Sequence, residues 1–134
     1  MPHLVILYTS NLEAEADMSA LCRRLADAML TVRDADSRQV FPTGGVRVLA
    51  YPAPHFAVAD VKRDYAFVYL SLRIGRGRSP AVVQRAGEVL VATAKEHLAP
   101  VFAHRLVGMT LQIDEGQETF DAKHSNIHPL FANS

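Results

Sequence analysis

The 134-residue chain holds a single cysteine, Cys22, so an intramolecular disulfide is excluded, and no Cys/His spacing resembles a zinc site. Cys22 lies among Ala20, Leu21 and Leu25 and reads as a small helix residue used in packing. Excess charge of one sign is also missing. The 14 Lys and Arg balance 14 Asp and Glu without a basic block, so neither nucleic acid nor an anionic membrane surface is expected as a partner. No apolar run approaches the roughly 20 residues needed to cross a bilayer, and no cationic segment precedes a long apolar one at the N-terminus. The pair Gly75 and Gly77 lacks the third glycine and the later acidic residue of a dinucleotide fingerprint. These absences leave a cytoplasmic protein of one domain, with 49% hydrophobic residues to build a core.

Periodicity divides that domain into two similar units. His3 to Tyr8 is an almost unbroken apolar run, too short for a helix and closed by Thr9-Ser10-Asn11, as in a strand buried on both faces. Asp17 can cap a helix whose apolar positions Leu21, Leu25, Ala28, Met29 and Val32 recur at intervals of three and four, with an end expected near Val32. After the turn residues Phe41-Pro42-Thr43-Gly44-Gly45, a second strand spans Val46 to Tyr51. The pattern then repeats. Tyr65 to Ile74 forms a strand, Ser79 caps a helix with Pro80 at its first position, and Leu106 to Ile113 forms a last strand.

The expected fold is α+β, with tandem β-α-β units over residues 3–52 and 65–114 building a four-stranded mixed sheet. Right-handed crossovers place both helices on one face. The other face is then apolar and uncovered, and exposed apolar area costs about 25 cal/mol per Å². Association through that face is the simplest remedy. The tail, residues 115–134, carries Phe120, Ile127, Leu130 and Phe131 and is expected to pack on a neighbouring subunit.

Three positions carry candidate chemistry. Pro2 heads an apolar strand, and removal of Met1 would give it a free secondary amine. An α-amino group has an unperturbed pKa near 7.7 to 8.0, which desolvation and nearby cations lower, so a neutral base is available near cellular pH. A Pro2 nitrogen tied in an amide to Met1 has no basic lone pair. Arg47 interrupts an apolar strand, where an unpaired buried charge is very costly. Arg78 lies just before a capped helix start, where free backbone donors favour an anion. His3 and Tyr8 are near Pro2 in sequence, but strand alternation puts His3 and Pro2 on opposite faces. Arg73 and Arg76 read as solvated or structural residues, and Tyr69, His104, His124 and His128 as packing or surface residues.

Taken together, Pro2-His3, Phe41-Pro42 through Gly45-Val46-Arg47, Asp64 to Val68, Ile74 to Ser79, and Gln84 with Ala86-Gly87-Glu88 resemble the 5-carboxymethyl-2-hydroxymuconate delta-isomerase family. The likeness extends to Phe120, Lys123, Asn126-Ile127-His128 and Leu130-Phe131. Three features depart from the family pattern: Leu7 replaces an acidic residue, Ser125 replaces an asparagine, and residues 33–39 form extra loop. The resemblance implies a tautomerase-superfamily enzyme, a homotrimer that needs neither metal nor other cofactor. Pro2 would be the general base, while Arg47 and Arg78 would bind and polarise a small unsaturated carboxylic acid. Two other readings fit the same residues: a tautomerase of another keto or enol acid, and a trimeric small-molecule binding protein without catalysis.

Overall fold

The computed structural model describes residues 2–131. Strand β1 (His3–Thr9) leads through a short turn to helix α1 (Met18–Leu30) and strand β2 (Arg47–Ala53). Strand β3 (Ala66–Ile74), helix α2 (Pro80–Phe102) and strand β4 (Val107–Glu115) repeat that order. The strands form one sheet in the order β2-β1-β3-β4, with β1 parallel to β2, β3 parallel to β4, and β1 antiparallel to β3. This is the mixed sheet expected from the two units.

Local signals set the helix boundaries. Asp17 Oδ1 accepts the Ala20 amide at 3.0 Å, and Ser79 Oγ accepts the Val82 amide at 3.2 Å, so both caps act as their residue types predict. Helix α1 stops at Leu30, short of the expected Val32, because the Thr31 hydroxyl bonds the Ala28 carbonyl at 2.6 Å and turns the chain. Helix α2 continues through Pro100 to Phe102. A proline in the last turn forfeits one intrahelical donor, while the following turn still closes through Ala103 and His104, whose amides bond Ala99 and Val101.

Register fixes the two faces of the sheet. Leu4, Ile6, Val68, Leu70 and Leu72 are buried against Leu21, Leu25 and Met29 of α1 and Leu90, Ala94 and Leu98 of α2. Both helices therefore cover one face. Alternation turns Leu7, Leu49 and Tyr51 to the other face, where they remain 46%, 49% and 49% exposed. In the tail, Phe120 and Leu130 are 83% and 75% exposed, while His128 returns to the turn before β2. A Cβ on Gly44 would lie 2.6 Å from the His128 Cα, so that close approach requires glycine. Among the described residues, no helix is long and apolar enough to cross a membrane.

Ion pairs tie the fold together at the end of the sheet where β1 finishes and β3 begins. Arg105, in the turn before β4, donates to Glu15 at 2.5 Å, to the Asp64 carboxylate at 2.9 Å and to the Asn11 carbonyl at 3.0 Å. Glu15 also receives His104 at 2.7 Å. Hydrogen bonding to Arg105 and then to His104 holds the Glu15 carboxyl below its ordinary range, and Asn11 and Arg105 do the same for Asp64. Three segments distant in sequence, residues 11–15, Asp64 and residues 104–105, meet at one guanidinium.

Candidate active site

The strand directions bring Pro2, Arg47 and Arg78 to the opposite end of the sheet. Strands β1 and β2 begin there, β3 and β4 end there, and α2 starts there. Pro2 is buried immediately before β1. His3, the next residue, is exposed and pairs in register with Arg47 on one side and Arg73 on the other. His3 and Arg47 therefore point to the open face of the sheet, whereas Pro2 shares the helix-facing parity of Leu4.

Arg47 is half-buried, and its Nη1 donates to the Gly45 carbonyl at 3.3 Å. Partial burial, followed by the Arg47 charge, holds the His3 imidazole below its ordinary pKa. A neutral His3 keeps one acceptor nitrogen beside the arginine. Arg73 is drawn instead toward Glu118 of the tail, 3.6 Å away. Arg73, Ile74, Gly75, Gly116 and Lys123 line, with His3, a cavity of about 310 Å³.

The Gly75-Arg76-Gly77-Arg78 turn explains the placement of Arg78. Gly77 has φ +105°, a conformation that a side chain strains, and it lets the chain reverse before the Ser79 cap. Arg78 folds back so that Nη1 donates to the Gly75 carbonyl at 3.0 Å and Nη2 to the Val40 carbonyl at 3.5 Å. Its guanidinium carbon lies 5.1 Å from the centroid of the Phe41 ring. Burial lowers the Arg78 pKa, while the charge of Glu115 at the end of β4 works in the opposite direction. An arginine shifted down from so high a starting value is still a cation at neutral pH. Neutral carbonyls and an aromatic face orient this cation, leaving other N–H groups for an anion.

The three residues singled out in the sequence thus share one end of the sheet. Phe41 and the carbonyls of Val40, Gly45 and Gly75 were not among them. Phe41 reads in sequence as an ordinary apolar turn residue, and its partner lies far along the chain. A cleft of about 740 Å³ between α2 and β4, lined by Val83, Gly87, Leu111 and Ile113, meets the site only through Arg78 and Glu115. Among the described residues, no group of three or more His, Cys, Asp or Glu is arranged to hold a metal ion.

Comparison with known proteins gives the family and the fold of the chain. A family model described as 5-carboxymethyl-2-hydroxymuconate isomerase matches residues 2–131. The chain is 32% identical over 131 residues to the 5-carboxymethyl-2-hydroxymuconate Delta-isomerase of Escherichia coli, covering 98% of this chain and 99% of that protein. It is similar to a crystal structure of 5-carboxymethyl-2-hydroxymuconate delta-isomerase, with a TM-score of 0.94 and 59% identity, covering 98% of this chain and 93% of the other. A second crystal structure, of a 5-carboxymethyl-2-hydroxymuconate isomerase from Deinococcus radiodurans R1, gives a TM-score of 0.86 at 37% identity, covering 97% and 93%. A structure described as a fused 4-OT symmetric trimer shares the fold, with a TM-score of 0.55 at 19% identity over 99% of this chain and 98% of that one. The chain belongs to the 5-carboxymethyl-2-hydroxymuconate isomerase family.

Proposed function

We propose that the protein is a cofactor-free isomerase that moves a proton along 5-carboxymethyl-2-hydroxymuconate, with the free Pro2 amine as general base. The observation that carries this reading is that Pro2, Arg47 and Arg78 lie at the same end of the sheet in a chain of this family. The neutral amine takes a proton from the 2-hydroxyl group, giving a delocalised dienolate. The resulting ammonium returns a proton to a carbon of the conjugated chain, so substrate and product are isomers and the amine is regenerated. Arg78 and Arg47 hold carboxylates and remain cationic while negative charge spreads through the dienolate. Preorganisation matters because the carbonyl and ring contacts of Arg78 are already made before substrate arrives.

The reading includes a cytoplasmic homotrimer. Leu7, Leu49 and Tyr51 on the uncovered face, with Phe120, Ile127 and Leu130 of the tail, supply the apolar surface for assembly. Part of the tail touches its own chain near Gly44, and the exposed residues of the tail are proposed to pack on a neighbouring subunit.

The decisive comparison is kcat/KM on 5-carboxymethyl-2-hydroxymuconate for protein with Met1 retained and protein with Met1 removed. Retention is expected to abolish isomerisation without unfolding the protein, because it blocks a base and empties no core. Equal rates would exclude Pro2 as the base and favour a binding protein or an enzyme using another residue.

A further inference from the structure

We infer that Phe41 is a positioning residue, through which the loop of residues 39–45 fixes the guanidinium of Arg78. This inference rests on the reading of Arg78 as a substrate-binding cation. Phe41 is 1% exposed, and its ring lies 5.1 Å from the guanidinium carbon, within the range of a cation–π contact. The ring face restricts the tilt of the guanidinium plane. Rotation within that plane is restricted by two carbonyls on separate segments, Val40 at 3.5 Å and Gly75 at 3.0 Å. Together these contacts define an orientation that a long arginine side chain would not keep alone.

The chemistry of the cradle suits a cation that must keep its charge available. A carboxylate partner would orient Arg78 but would also compete with a bound carboxylate. The ring and two carbonyls that touch it are neutral and occupy two of its five N–H donors, while Glu115 at the end of β4 acts on it through its charge. Partial burial of the guanidinium strengthens both the ring contact and any later contact with an anion.

The loop is closed by its own hydrogen bonds. Gln39 Nε2 donates to the Phe41 carbonyl at 2.8 Å and to Thr43 Oγ1 at 3.0 Å, closing the turn from within. The same loop ends at Gly45, whose carbonyl accepts Arg47 Nη1 at 3.3 Å. One short segment thus contacts both arginines, and Phe41 is its buried anchor.

The test is a double-mutant cycle on 5-carboxymethyl-2-hydroxymuconate with Phe41→Met, Arg78→Ala and the pair. Methionine keeps apolar bulk but offers no ring face, and Phe41→Leu is the second choice should the Met variant fail to fold. The ring-free variant is expected to lower kcat/KM roughly tenfold in the parent, chiefly through KM, as loss of a partly desolvated cation–π contact allows. In the Arg78→Ala background the same change should alter kcat/KM by less than about twofold, because the group it positions is gone. An equal loss in both backgrounds, or no loss in the parent while Arg78→Ala is impaired, would overturn the inference and leave Phe41 a core residue. Full activity of Arg78→Ala would overturn the reading of Arg78 itself, and this inference with it.

Discussion

The two ends of the sheet each gather arginine, but with opposite partners. At one end Arg105 is surrounded by Glu15, Asp64 and the Asn11 carbonyl, and its side chain is only 14% exposed. At the other end Arg78 is held by the carbonyls of Gly75 and Val40 and the face of Phe41. Carboxylates satisfy a guanidinium and neutralise it. Carbonyls and rings orient it and leave its charge to act elsewhere. The arginine that ties the fold together and the one proposed to bind substrate thus differ in the groups that hydrogen-bond them, carboxylates for Arg105 and neutral carbonyls for Arg78.

This contrast predicts different losses on mutation. The largest is expected at the Pro2 end, where Arg78→Ala and Arg47→Ala should each raise the barrier by about 2 to 4 kcal/mol, the range for a preorganised charge stabiliser. Steady-state kcat/KM, with circular dichroism as a control for folding, measures this. Arg105→Ala should do the reverse, lowering Tm while the folded fraction keeps its kcat/KM. The acid dependence of that support follows from Glu15 and Asp64, whose folded pKa values are depressed. Their contribution is present above the unfolded carboxylate pKa of about 4 and is lost as pH falls through the folded values. Thermal melts from pH 7 to pH 3 should therefore converge for parent and Arg105→Ala.

Assembly provides a subtler test of the comparison, because the tail reaches the Pro2 end through Glu118 and His128. Deleting residues 116–134 should weaken the trimer more than it weakens secondary structure, as measured by light scattering at micromolar concentration and circular dichroism. A stable, well-folded monomer in the full-length protein would contradict the trimer. The smallest effect is expected from Arg76→Ala, since Arg76 is exposed in the turn that Gly77 makes. An inactive Arg76→Ala protein beside a fully active Arg78→Ala protein would reverse the roles assigned within Gly-Arg-Gly-Arg-Ser.

Much of this was legible in the sequence for physical reasons that can be named. Both caps, Asp17 and Ser79, follow from side chains that accept orphan amides, and the four strands follow from short apolar runs between turn residues. Arg47 and Arg78 stand out because each is a charge where the local pattern favours apolar or turn residues. The long-range contacts of Arg78 and Arg105 were not legible. Val40 and Arg78 are 38 residues apart, and Glu15 and Arg105 are 90 apart, so neither pairing leaves a local periodicity. The persistence of α2 past Pro100 was hidden similarly, since later carbonyl contacts compensate for the donor that proline lacks.

The proposed role of the Pro2 amine as the working base stands or falls on the titration of that amine. Trimmed protein labelled with ¹⁵N-proline gives the pKa of the secondary amine, and kcat/KM against pH gives the pKa of the essential base in the free enzyme. A working Pro2 base gives one shared midpoint below the ordinary α-amino value of about 7.7, with activity lost as pH falls through it. An amine that titrates far from the kinetic midpoint would contradict that role.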